Sequence, residues 1–163
     1  MEEPIPVPRT PEEDDIVKIC KALNDEGALY LIVGGVAINH HGFLRATEDI
    51  DLLLENSKDN QARVLRALEI LPDKAVLQVL PNDLDEYTVV RVADEVVVDL
   101  MLSTCGIRYY EAAKQIEFRD IKGVLIPFAS AELLLRMKQT YRDKDIADRA
   151  FLRDKIAGIG RSS

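Results

Sequence analysis

Apolar residues along this chain switch between a helical and a strand-like spacing, and each switch marks an element boundary. Ile16, Ile19, Cys20 and Leu23 recur at helical spacing. Thr10 is the expected N-cap, Pro11 sits in the first turn, Glu13 completes a capping box, and Gly27 ends the helix. Residues 28–33 form a continuous apolar run, suited to a strand buried on both faces, and Gly34-Gly35 breaks it. A short helix over residues 36–41 stops at Gly42, and a second strand follows over 48–54, where acid and apolar residues alternate at its start. Ser57 or Asp59 opens a helix that runs to Leu71 and is stopped by Pro72, with Val64, Leu65, Leu68 and Leu71 on one face. Residues 75–80 read as a weak strand or a loop.

The second half is richer in β-formers. Residues 87–92 and 95–102 form a hairpin joined by Ala93-Asp94, and residues 116–120 and 124–126 flank Lys122-Gly123 in another. Ser130 caps a helix with Leu133, Leu134, Met137 and Tyr141 in register, and Lys144-Asp145 opens a last helix to about Ile156. The expected fold is therefore α+β: a mixed β-sheet flanked by helices, with two C-terminal helices. Residues 1–10, with three prolines, read as an extended lead-in, 11–157 as a single domain, and 158–163 as a frayed tail. A chain of 163 residues can bury a core of its own without staples.

Charge narrows the partners. The formal net charge is -8, from 29 acidic and 21 basic residues, so the chain repels a nucleic-acid backbone unless its basic residues are segregated. A metal-bound nucleotide remains compatible, because a bound cation reverses the local sign. Cys20 and Cys105 form no CxxC pair and lie near apolar segments, so both are expected to be buried free thiols. The acidic, proline-rich start does not read as a signal peptide, and no apolar run approaches the roughly 18 residues of a membrane span. The expected location is the cytoplasm.

The chemistry begins at Asp49 and Asp51. Residues two apart in a strand share a face, so both carboxylates project together while Ile50 points into the core. Like charges side by side are destabilising until a cation separates them, and magnesium is typically held by one or two carboxylates plus substrate phosphates. Solvated residues at a strand end are the bland alternative. Asp99 is a third acid, set in the apolar run 96–102, where a carboxylate is costly unless paired, protonated or metal-bound. Gly34-Gly35 allows a sharp turn and a close approach of backbone N–H to phosphate, or is merely a tight turn. Arg45, four residues before Asp49, can neutralise a phosphate or pair with Glu48. His40-His41 lacks the third His or Cys that a nitrogen-ligated metal would call for. Lys138, Arg142, Lys144 and Arg149 form a basic cluster, which is ordinarily a solvated helix face. Asp148 is expected to cap the positive end of the last helix.

Taken together, the Val33-Gly34-Gly35 turn, a thirteen-residue spacer, the strand Asp49-Ile50-Asp51-Leu52 and a later strand acid, Asp99, resemble the nucleotidyltransferase superfamily. Arg45 to Asp51, Met137-Lys138 and the segment Lys144-Asp145-Ile146-Ala147-Asp148 are similar to its minimal bacterial members, the AbiEii-type toxins nearest among them. The resemblance spans most of residues 28–150. It implies that Asp49, Asp51 and Asp99 are catalytic and bind Mg2+ or Mn2+, with Asp99 also helping to deprotonate an attacking hydroxyl. It further implies that Gly34 and Gly35 face the triphosphate, that Lys138 contacts phosphate and that Asp145 is the family's C-terminal acid. The implied activity moves a nucleoside monophosphate from a nucleoside triphosphate to a hydroxyl on a small molecule, protein or RNA. The alternatives are a non-catalytic nucleotide-binding or regulatory protein, and the toxin component of a toxin–antitoxin pair with a partner protein.

Overall fold

A computed structural model describes residues 7–137 and 143–158. In chain order its elements are α1 (Glu13–Asp25), β1 (Tyr30–Val33), α2 (Gly34–His40), β2 (Asp49–Leu54), α3 (Lys58–Ala67), α4 (Asp83–Glu86), β3 (Val90–Ala93), β4 (Val97–Met101), β5 (Ser103–Thr104), β6 (Ile107–Arg108), α5 (Tyr109–Ala112), β7 (Ile116–Ile121), β8 (Val124–Ala129), α6 (Ala131–Met137) and α7 (Asp143–Ala157). Short 3-10 turns cover Leu68–Ile70, Ala75–Gln78 and Ala113–Gln115. The expected α+β fold with a mixed sheet and two C-terminal helices is the observed one.

The main sheet has six strands in the order β3-β4-β2-β1-β8-β7. β2 pairs antiparallel with β1 and parallel with β4, and β1 pairs parallel with β8. The outer strands β3 and β7 come from the two hairpins. The centre is dry: Ile50, Leu52, Leu53 and Leu54 of β2 are fully buried, and all four residues of β1 are buried. Because adjacent side chains in a strand point to opposite faces, burial of Leu52, Leu53 and Leu54 in succession means helices cover both faces at that end. Each such side chain contributes about 1.5–3 kcal/mol on burial, which anchors the strand that carries Asp49 and Asp51.

Several boundaries move for local reasons. Helix α1 starts later than expected: Glu12, not Thr10, is its N-cap, and the Glu12 N–H donates to Asp15 at 2.7 Å. Asp15 is fixed in turn by a two-pronged bond from Arg9, which also holds its carboxyl below the ordinary range. Ser57 caps α3, accepting from the Asn60 N–H, as the pattern suggested. Ser130 accepts from the Leu133 N–H at the start of α6. Of the segment read as a weak strand or a loop, Ala75–Gln78 form a 3-10 turn and residues 79–80 have no regular structure, so the loop alternative holds. Cys20 is buried as expected, and burial pushes its thiol up to about 12. Cys105 is exposed instead, because it occupies the tight turn between β5 and β6 with a φ of 49°.

Candidate active site

The site lies where β1 ends and β2 begins. Parallel pairing sets Asp51 opposite Asp99, and antiparallel pairing sets Val33 opposite Asp51. Ile50, between the two β2 acids, is fully buried while Asp49 and Asp51 are half-buried, so the alternation places both carboxylates on one face. One carboxylate oxygen each from Asp49, Asp51 and Asp99 lie within 4.8 Å of one another. Asp99 is 5% exposed. The three acids expected to converge do converge, on adjacent strands.

Two glycines make room for them. Gly34 adopts φ +68°, a region side chains rarely enter, and a Cβ there would stand 2.0 Å from Asp51 Oδ2. At Gly35 a Cβ would meet Thr47 Oγ1 at 2.7 Å. The backbone thus runs directly against the carboxylates, and any side chain at residue 34 would push Asp51 out of the cluster. Thr47 is fixed beside it, donating to the Asp49 carbonyl at 3.1 Å. A cavity of about 540 Å3 opens over this surface, lined by Gly35, Thr47, Asp49, Asp51, Arg91 and Asp99 among others. A second cavity of about 520 Å3 shares Thr47 and is walled by His40, Leu44, Arg119 and Phe128.

Arg91 is the site residue that sequence reasoning missed. Its Nε donates to one oxygen of Asp99 at 2.9 Å, and one terminal nitrogen donates to the other oxygen at 2.9 Å and to Asp49 at 3.1 Å. The hydrogen bond and charge of Asp99, followed by Asp49 and Asp51, push the already high pKa of Arg91 higher still. The signal was present: Arg91 interrupts Val90 and Val92, and the β3–β4 register sets it opposite Asp99. The expected two-residue turn was one residue too short. The Asp94 N–H bonds to the Val96 carbonyl, and Ala93 pairs with Val97, so the loop holds residues 94–96. A turn at Ala93-Asp94 sets Arg91 opposite Val96, three residues from Asp99, which hid the pair.

Other candidates go elsewhere. Arg45 does not pair with Glu48. Its guanidinium grips both oxygens of Asp148 in α7, each at 2.9 Å, while its edge still lines the cavity. Asp148 is 0% exposed and lies inside α7, so it ties that helix to the loop before β2 rather than capping it. Asp145 is likewise buried, one helical turn earlier. Lys138, Tyr141 and Arg142 lie outside the described residues. His41 Nε2 faces the Ala129 carbonyl at 2.8 Å and the Glu117 carboxylate at 3.6 Å, the environment of an N–H donor. His40 stacks on Phe128, and burial lowers its pKa to about 4, helped by His41, so its imidazole is neutral at neutral pH.

An all-oxygen cluster of three acids suits a hard divalent cation such as magnesium better than a transition metal. The donor set and the glycine cradle behind Asp51 fit such an ion. His40 and His41 form a second such group with Glu117, one ligand atom from each lying within 4.8 Å of the others, but Arg119 approaches His40 Nδ1 at 3.5 Å with positive charge.

The arrangement of sheet, glycine turn and flanking helices defines a nucleotidyltransferase-like fold. It is shared with the lincomycin-bound crystal structure of LnuA, a lincosamide antibiotic adenylyltransferase, at a TM-score of 0.60 and 16% identity, covering 89% of this chain and 98% of that one. It is shared also with the antibiotic-resistance factor ANT(2'')-Ia. Its complex with adenylyl-2''-tobramycin matches at a TM-score of 0.57 and 16% identity, over 86% of this chain and 87% of that one. Its solution structure matches at a TM-score of 0.58. No family model matches the sequence, and no curated protein is significantly similar to it. At such low identity the likeness is one of fold. No helix among the described residues is long and apolar enough to cross a membrane.

Proposed function

We propose that this protein is a divalent-metal-dependent nucleotidyltransferase that moves a nucleoside monophosphate from a nucleoside triphosphate to a hydroxyl acceptor. The observation that carries the reading is the meeting of Asp49, Asp51 and Asp99 within 4.8 Å beneath a glycine turn, on this fold. In the proposed reaction a hydroxyl oxygen attacks the α-phosphorus, and the bond from that phosphorus to the bridging oxygen of pyrophosphate breaks. Asp49, Asp51 and Asp99 hold the cation, and Asp99 is assigned the hydroxyl proton. The cation, when bound, supplies charge stabilisation for the leaving pyrophosphate and lowers the pKa of the attacking oxygen. Gly34 and Gly35 present bare backbone to the triphosphate, and Arg45 borders the same cavity. Lys138 and Asp145 are proposed nucleotide contacts on the strength of the resemblance alone.

The acceptor we favour is a small hydroxylated molecule, since both named neighbours are antibiotic-modifying enzymes and the net charge of -8 opposes unaided binding of RNA. A finer placement among AbiEii-type toxins rests on the C-terminal Lys-Asp…Asp segment. Growth on overexpression, with and without candidate partner proteins, tests that placement.

The direct test incubates the protein with labelled nucleoside triphosphates, Mg2+ or Mn2+, and panels of polyhydroxylated small molecules, proteins and RNA. Transfer of label is expected, with Asp51→Asn reducing it by at least about a hundredfold, the scale of losing a central charge-stabilising group. Triphosphate binding without transfer to any acceptor would instead support the regulatory reading. Transfer that survives Asp51→Asn would overturn the assignment of the acids.

A further inference from the structure

Arg91 stands where a cation belongs. Both oxygens of Asp99 and one of Asp49 already accept hydrogen bonds from its single guanidinium, at 2.9, 2.9 and 3.1 Å. A divalent ion sits about 2.1 Å from its carboxylate oxygens, which would bring it within roughly 4–5 Å of guanidinium nitrogens that share those oxygens. Two cations at that separation repel. Each carboxylate oxygen keeps a second lone pair, so the Arg91 fork does not block a divalent ion at Asp99 but makes it less favourable by repulsion. The side chain of Arg91 is 60% exposed, against 7% for Asp99, so the arginine is the partner with somewhere to go.

We propose that Arg91 is a displaceable internal counterion and a positioning residue of the metal site. In the metal-free protein it neutralises the acid cluster and keeps the carboxylates of Asp99 and Asp49 aimed inward. Swinging out relieves the repulsion when the three acids take up a divalent ion. Arg91 thereby weakens binding of the free cation while preserving the geometry that receives it. The proposal rests on the reading of the three acids as a metal site, and its test separates the two.

Mn2+ binding to the purified full-length protein, without nucleotide, is measured by calorimetry and by the loss of the free-ion paramagnetic resonance signal. The proteins compared are wild type, Arg91→Ala, Arg91→Lys and Asp51→Asn. Arg91→Ala should bind Mn2+ roughly tenfold more tightly, the scale of one charge-assisted hydrogen-bond pair at a part-exposed site. Arg91→Lys should fall between, because an ammonium keeps the charge but cannot bridge both oxygens of Asp99. An arginine with a merely structural role would leave affinity unchanged, or weaken it as the carboxylates drift apart. Equal or weaker binding in Arg91→Ala therefore overturns the proposal. Should that variant fail to fold, Arg91→Lys decides in the same direction. Loss of Mn2+ binding in Asp51→Asn upholds the metal site independently of Arg91, so the counterion role can fail alone. If neither wild type nor Arg91→Ala binds Mn2+, the metal site and the counterion role fall together.

Discussion

Asp94, in the loop before β4, and Asp99, in the middle of β4, are 3% and 5% exposed, and the fold compensates them by different means. Asp94 lies in the turn that leads from β3 into β4. It accepts from the backbone N–H groups of Asp73 at 3.0 Å, Ala75 at 2.9 Å and Glu95 at 2.7 Å. Burial pushes its pKa up, but these donors outweigh burial and hold it below the ordinary carboxylate range. Asp99 is met instead by one exposed arginine side chain. Backbone donors come with the fold and cannot leave without unfolding it. A side chain can leave by rotating. The acid that shapes the hairpin is satisfied permanently, and the acid in the candidate site is satisfied provisionally.

The sharpest way to break this contrast is to remove the permanent acid. Asp94→Ala strands three turn N–H groups in a part-dry pocket and should cost about 3 kcal/mol, at roughly 1 kcal/mol or more per orphaned donor. Urea unfolding at neutral pH measures it. The pH dependence follows from the depressed pKa. The ionised form favours the folded state, so its contribution is complete above the unfolded value of about 4 and is lost as pH falls through the folded value. The gap in stability between wild type and Asp94→Ala should therefore be constant above about pH 5 and narrow on acidification. A gap that widens on acidification would show that Asp94 is not held by its charge.

Asp148 gives an intermediate case, since it too is fully buried but is held by a side chain, Arg45, that is only 19% exposed. Breaking a buried pair by deleting one partner costs about 3–5 kcal/mol when the remaining charge stays dry. Water reaches the Arg45 end, so Arg45→Ala should cost less than Asp94→Ala, about 2 kcal/mol, with Arg45→Lys recovering part of it. Because Arg45 links α7 to the loop before β2, the same variant should loosen α7, seen as faster amide exchange there than in β1. A loss below about 0.5 kcal/mol would place this pair with ordinary surface ion pairs.

Much of this was legible in the chain. The strands announced themselves because β1 and β2 are short apolar runs bounded by glycine or acid, and the Asp49-Ile50-Asp51 alternation dictated which side chains share a face. Asp99 stood out as a single charge in a valine-rich strand. Pairings between distant residues could not be read. Arg45 and Asp148 are 103 residues apart, and local charge patterning offered Glu48 as the nearer partner. Arg91 was hidden by the placement of the β3–β4 loop, which moves its partner from Val96 to Asp99, and periodicity alone leaves the register open. The β5–β6 hairpin is two residues per strand, too short for any period to emerge.

The smallest stability effect is expected at the provisional acid, and it is the most informative. Asp99→Asn removes the charge that Arg91 grips, but that arginine is mostly solvated, and exposed ion pairs contribute about 0–1 kcal/mol. The substitution also relieves repulsion, because Asp99 shares a pocket with Asp49 and Asp51. The two effects oppose each other, so thermal or urea unfolding of the metal-free protein should shift by less than about 1 kcal/mol in either direction. Wild type should gain stability on addition of Mn2+ by mass action, and Asp99→Asn should gain far less. If Asp99→Asn proved as costly without metal as Asp94→Ala, Asp99 would be a second structural acid, and the distinction between the two acids would collapse. If it is nearly neutral without metal yet abolishes the metal-dependent gain, the carboxylate is maintained at that position for what it binds.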